Sequence, residues 1–198
     1  MKVLKSVKCI FADLSYSVSG TDAKILIDSD TERYYKLHNM DNQSPVQRLN
    51  GSLMMWPSFR NVFVYRIFSS GKPASKLVVR IHRAIIKEPK TIEISGKIGK
   101  GFVISHNWSV IFPETTGDNF RVGPGVVIGR NGDAFPKIGN NVYCASNSTV
   151  VGDVVIGDNV IVGAGAVVVK NIPSNVVVAG NPARIIRNIT DEDLLMVQ

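Results

Sequence analysis

Residues 97–110 read KIGKGFVISHNWSV, and the spacing inside that stretch decides the fold. Ile98, Ile104 and Val110 stand six positions apart. The same step runs outward through Val122 and Ile128, then Ile138, Cys144, Val150, Ile156, Val162 and Val168, with Thr116 and Cys144 the only members that are not Ile or Val. A fixed short period marks a solenoid. Three positions after each aliphatic residue stands Gly, Asn or Asp, as at Gly101, Asn107, Asn119, Gly125, Asn131, Asn141, Asn147, Asp153, Asn159 and Gly165, with Pro113 the exception. These residues tolerate left-handed or turn backbone. Each unit is therefore a short extended piece ending in a corner, and three units make a triangular coil of about 18 residues that stacks on the next through backbone hydrogen bonds. The aliphatic position points inward, so Cys144 reads as a small hydrophobe. Between Ile128 and Ile138 the step lengthens to ten residues, and the extra residues of GRNGDAFPKIG must leave the wall as a loop. His106 is the one histidine between Thr91 and Ile189.

The first 90 residues have a different grammar. In SFRNVFVYRIFSSG, Phe59, Val62, Phe63, Arg66 and Ile67 follow helical spacing, with Ser58 as a candidate cap and Gly71 as a stop. A second helix is expected from Ser75 to Lys87, with Leu77, Val78, Ile81 and Ile85 on one face and Lys76, Arg80, Arg83 and Lys87 on the other. SDTERYYKL reads as a further helix. The division is a helical region over 1–90, a β-solenoid over 91–189 and a short tail over 190–198.

The formal charge of +7 is local. Residues 48–90 hold nine basic side chains and one acidic, whereas 1–47 hold six of each and 91–198 hold eight against nine. That distribution, without aromatic–basic interleaving, gives no support to nucleic-acid binding. It leaves open a peripheral membrane contact through 48–90. Two distant cysteines form neither a disulfide framework nor a structural metal set. No apolar run approaches the length of a membrane span, and the Lys-rich start is cut by Asp13 before a signal core develops. A reducing, cytoplasmic setting is expected.

KIGKGFVISH (97–106), GVVIG (125–129), FPKIGNNV (135–142), IGDNVIVGAGAVVVKNIP (156–173) and VVAGNPARII (177–186) together resemble the hexapeptide-repeat acyltransferases, in particular serine acetyltransferases and their relatives in surface-polysaccharide biosynthesis. WPSFRNVFVYR (56–66) resembles the helical segment such enzymes carry before the prism. The resemblance implies a left-handed parallel β-helix, a hand opposite to that of ordinary parallel crossovers. It implies acetyl-coenzyme A as co-substrate without a metal. It also implies a homotrimer with active sites between prisms, possible pairing of trimers, and His106 as the catalytic residue.

A hydroxyl is a poor nucleophile at neutral pH, and a neutral imidazole, with an ordinary pKa near 6.5, can take its proton as the oxygen attacks a thioester. Serine acetyltransferases place an aspartate fifteen residues before the histidine. Thr91 holds that position here, and Glu93 two residues on is the candidate substitute, since alternate strand residues share a face. By resemblance the coenzyme arm passes Arg130, Ser146 and Ala164, and its phosphate end reaches Lys170 and Arg184 of the GNPAR turn. Ser105 stands where serine acetyltransferases carry an aspartate, Phe135 where they carry a loop histidine, and Gln47 where they carry a helical aspartate that helps hold serine. Losing these carboxylates argues against serine, with its ammonium group, as acceptor. A loop with Asp133 and Phe135, and Trp108 beside His106, suit a flat sugar face, although Trp108, in a slot where the repeat prefers small residues, reads equally as a bulge in the first coil. The expected acceptor is therefore a sugar hydroxyl of a surface-polysaccharide precursor. Serine, as in cysteine biosynthesis, is the alternative, and a non-catalytic trimeric scaffold is the second. A γ-type carbonic anhydrase needs three zinc-binding histidines, and the prism has one.

Overall fold

The computed structural model describes residues 2–40, 43–85 and 91–197. The chain divides into two compact units, Met1–Lys90 and Thr91–Gln198.

The first unit contains helices α1 (Lys2–Ser17), α2 (Thr21–Leu37), α3 (Pro45–Met55), α4 (Pro57–Ser70) and α5 (Pro73–Ile85). Its core joins Ile27 and Tyr34 of α2 to Leu49 of α3 and to Phe59, Val62, Phe63 and Ile67 of α4, all buried. Arg66 lies on that apolar face because Asp30 of α2 receives its guanidinium at 2.7 and 3.0 Å, with both side chains out of solvent. A buried charge survives only with such a partner. Ser44 and Gln47 close a capping box on α3, a local task for Gln47. One expectation is corrected. Ser58 does not cap α4: Trp56 takes the capping position, Pro57 opens the helix with its fixed φ, and Ser58 is buried inside the first turn. In α5 the core side is Ser75 and Val79, while Leu77 and Ile81 of the apolar face are 57% and 44% exposed. Lys87 of the expected helix lies outside the described residues.

The second unit is a left-handed parallel β-helix of about five turns. One face has five strands, β1 (Ile92–Ile94), β3 (Ser109–Ile111), β6 (Val127–Gly129), β9 (Thr149–Val151) and β12 (Val167–Val168). A second has β4 (Thr115–Thr116), β7 (Lys137–Ile138) and β10 (Val155–Ile156). The third has β2 (Val103–Ile104), β5 (Arg121–Val122), β8 (Val142–Cys144), β11 (Val160–Val162) and β13 (Val176–Ala179), closed by antiparallel β14 (Arg184–Asn188). Helix α6 (Asp191–Val197) follows, with Val197 buried.

Each side buries two positions. The aliphatic column is one. Four residues on stands a second, bulky at one edge (Phe102, Phe120, Val142, Val160, Val176) and small at another (Val126, Ser148, Ala166). Phe102 and Phe120 stack with centroids 5.8 Å apart. The six-residue step fails once in the first full coil. Ile111, not Val110, is the fully buried residue, and it pairs with Ile128. The side from Ile104 to Ile111 is thus seven residues, and the side from Ile111 to Thr116 is five, so the coil regains register. The extra residue makes a bulge. Trp108 takes the positive φ, 72°, that the repeat assigned to Asn107. Likewise Gly132 and Gly152 take the corner conformation expected at Asn131 and Asp153. Elsewhere the corners fall where the spacing puts them, and Asn119, Asn141, Asn159 and Asn175 form a ladder, each amide donating to the next at 2.8 or 2.9 Å.

Candidate active site

His106 leaves the prism at the edge where the six-strand face turns into the five-strand face. The Ser105 N–H donates to Val122 O at 2.9 Å, the Gly123 N–H to Cys144 O at 2.8 Å, and the Ala145 N–H to Val162 O at 2.9 Å. These rungs, with the pairs Ile104–Val122, Val122–Cys144 and Cys144–Val162, fix the register. One step further it aligns His106, Pro124, Ser146 and Ala164 in a column along this edge. His106 is exposed, and the corner Gly165 has open space where a side chain would stand. Trp108 follows, 76% exposed, and its backbone N–H donates to Thr91 O at 2.8 Å. The GNPAR turn closes the far end of the same edge. Gly180 O accepts from the Val167 N–H at 3.0 Å, and the Ala183 N–H donates to Val167 O at 2.8 Å. Exposed Arg184 begins β14 there, its guanidinium donating to Ala183 O at 2.9 Å.

The other expected residues lie elsewhere. The pairs Gly129–Val151 and Val168–Val150, carried on by one and two residues, align Arg130 and Lys170 with Gly152. That is the edge between the five-strand and three-strand faces. The excursion loop leaves from it: Asn131 and Ala134 close an antiparallel bridge, Asp133 is exposed at the tip, and Phe135 is half-buried at its foot. A single prism therefore separates two sets that were expected to act as one. Ser105, His106, Trp108, Ser146, Ala164 and Arg184 hold the first edge; Arg130, Asp133, Phe135 and Lys170 hold the second. The coenzyme path expected past Arg130 as well as Ser146 does not run along one edge of one chain.

Glu93 belongs to neither edge. It sits in β1 on the outer side of the five-strand face, in register with Val110. Trp108 stands between that level and His106, and no hydrogen bond or ion pair joins Glu93 to His106 among the described residues. The outer row running from Glu93 continues as Val110, Val127, Thr149 and Val167. That face is apolar, with Val127 40% and Val169 47% exposed.

One further side chain, overlooked because the repeat made it a corner, is Asn107. Its Oδ1 is buried beside His106 without a hydrogen-bond partner. The interior contributes no chemistry: burial pushes the Cys144 thiol up to about 12. His38 and His82 are engaged in the helical unit, by Tyr34 O at 2.7 Å and by stacking on Phe11. Among the described residues no three His, Cys, Asp or Glu side chains gather as a metal site.

A family model described as "Bacterial transferase hexapeptide (six repeats)" matches residues 135–170. Serine acetyltransferase 1, chloroplastic, of Arabidopsis thaliana is 37% identical over 123 residues, covering 58% of this chain and 39% of that one. Galactoside O-acetyltransferase of Escherichia coli (strain K12) is 39% identical over 112 residues, covering 48% of this chain and 55% of that one. The chain thus spans about half, or less, of the curated relatives' length. Among solved structures, the serine acetyltransferase of Neisseria gonorrhoeae superposes with a TM-score of 0.64 at 23% identity, covering 90% of this chain and 70% of that one. The Brucella abortus serine acetyltransferase in complex with coenzyme A gives 0.54 at 22% identity, covering 83% and 68%. At those identities the likeness carries the fold.

Proposed function

We propose that the chain is a hexapeptide-repeat transferase and, within that class, an acetyl-coenzyme A-dependent O-acetyltransferase with His106 as general base. The observation that carries the reading is the first edge, where one exposed imidazole, the Ser146–Ala164 column and the GNPAR turn share a line. An extended pantetheine arm needs such a line of main chain. A coenzyme phosphate needs a cation such as Arg184 at its end. The neutral imidazole takes the acceptor's hydroxyl proton as the oxygen bonds to the thioester carbon. The carbon–sulfur bond then breaks, and the leaving thiolate takes the proton back from the imidazolium. The products are an acetyl ester and free coenzyme A, with no acyl-enzyme. Losing a general base costs about 10²–10⁴ in rate. His106→Ala should therefore release thiol from acetyl-coenzyme A at least about a hundredfold more slowly, with an unchanged circular dichroism spectrum. A full rate in that variant overturns the mechanism.

The separation of the two edges gives the reading its assembly. Both edges border the apolar five-strand face, so copies joined across that face bring the His106 edge of one chain to the Arg130–Lys170 edge of the next. A homotrimer satisfies this with three equal clefts.

For the acceptor, the weight of the relatives lies with serine, which displaces the polysaccharide precursor as the first reading. A sugar hydroxyl is the second. It is favoured by the exposed indole of Trp108 beside His106 and by the galactoside O-acetyltransferase among the relatives. Thiol release with serine and with a galactoside in parallel separates them: the acceptor with the higher kcat/KM decides.

A further inference from the structure

Helix α5 turns the wrong side to the core for a helix that only supports a fold. Its core contacts are modest: Val79 and Ser75 are buried, and His82 stacks on Phe11 of α1 with centroids 5.6 Å apart. The Ser15 Oγ of α1 donates to Ser75 O at 3.1 Å. Leu77 and Ile81, one turn apart, face solvent. On the packed neighbour α1, Ile10 and Leu14 repeat the arrangement at 60% and 47% exposure. A scattered exposed leucine needs no explanation, but four large aliphatic side chains on two packed helices do.

The charge around them points to one kind of partner. Lys72 precedes α5, and Lys76, Arg80 and Arg83 lie along it. None of these four meets a carboxylate among the described residues; Arg80 stacks instead over the Phe68 ring at 5.7 Å. No Asp or Glu occurs anywhere between Gln43 and Lys87. A like-charged face of this kind repels a second copy of itself and attracts a polyanionic surface. Exposed aliphatics beside unpaired cations on one helix are what an interfacial helix presents to lipid. No helix among the described residues is long and apolar enough to cross a membrane, so the contact is peripheral.

We propose that the α1–α5 face docks on an anionic lipid surface, with Leu77 and Ile81 entering the headgroup–acyl boundary and Arg80 and Arg83 meeting the phosphates. The inference does not rest on the acetyltransferase reading, and its test does not use activity. The full chain is sedimented with vesicles of phosphatidylcholine alone or with 30% phosphatidylglycerol. Binding is expected to the anionic vesicles only, and to fall at least about tenfold between 50 and 500 mM salt as the charges are screened. R80E/R83E and, separately, L77S/I81S should each weaken it at least about tenfold at low salt. These side chains are exposed, so an unchanged thermal midpoint certifies the variants as folded. Equal binding to neutral vesicles, or no binding to either, overturns the proposal. Retention in L77S/I81S overturns it too, since charge alone is then enough. Self-association abolished by the same substitutions, without vesicle binding, assigns the face to contacts between copies instead.

Discussion

Trp108 combines two properties that rarely meet: a bulky side chain on left-handed backbone, and a largely exposed position beside His106. A non-glycine residue in that conformation costs about 1–2 kcal/mol, so Trp108→Gly should hold or raise the thermal midpoint. If the indole stacks on a sugar ring, the same variant raises KM for a galactoside about tenfold, the worth of one aromatic contact, and leaves KM for acetyl-coenzyme A alone. With serine as acceptor, KM for serine barely moves. Glu93→Gln should keep kcat within about threefold, well short of the loss of a general base, because the register holds the carboxylate level with Val110. Cys144 belongs to the same scale. Its thiol, buried between Val122 and Val162 with its pKa pushed up to about 12, should resist maleimide at pH 8 until the prism unfolds. Cys144→Val should be tolerated, and Cys144→Ser should cost about 1–3 kcal/mol through an unmatched buried hydroxyl. His106 was legible from sequence because it is alone in a run of aliphatic and turn residues. Its neighbours' roles were not: one inserted residue moved the corner from Asn107 to Trp108, and adjacent Val110 and Ile111 fit the inward slot equally well on composition.

At the scale of elements, the prism was readable because every coil repeats one physical demand, an inward aliphatic and a corner that accepts positive φ. Helix α5 was not, because a two-faced pattern says that one side differs from the other without saying which is covered; here the apolar side is the open one. The tail gave no hint of its clasp. Asp193 accepts from the Thr190 N–H at 2.8 Å and Oγ1 at 2.9 Å while Arg187 of β14 grips the same carboxylate, fixing the start of α6. The Arg187 guanidinium, aided by Thr190, holds the Asp193 carboxyl well below the usual carboxylate range. A depressed pKa means that the clasp contributes fully above the ordinary carboxylate pKa and is lost only as pH falls through the lower, folded value. Amide protection in residues 191–197, taken relative to the intrinsic exchange rate at each pH, should therefore hold through pH 5 and be lost only in stronger acid. In Asp193→Asn it should be lost already at pH 7. Unchanged protection in that variant would show that Val197 packing alone holds the helix.

For the molecule as a whole, the question is whether one chain can be a complete enzyme. Register puts His106 and Arg184 on one edge and Arg130 and Lys170 on another, with the width of the apolar five-strand face between them. Two consequences separate assembly in trans from a site completed in cis. Val127 lies mid-face and 40% exposed, so Val127→Lys buries an unpaired ammonium if copies meet there and merely decorates the surface if they do not. Loss of the trimer in sedimentation, together with loss of thiol release and retention of the β-helix spectrum, is the expected result. The stricter experiment mixes two inactive variants, His106→Ala and R130A/K170A, unfolds them together and lets them reassemble. In the proposed trimer each cleft would draw its imidazole edge from one chain and its cationic edge from the neighbour. Random assembly of equal amounts then makes about one cleft in four from two intact edges, and about a quarter of the native rate should return. Chains that each carry a whole site recover nothing on mixing, because every one of them keeps a broken edge.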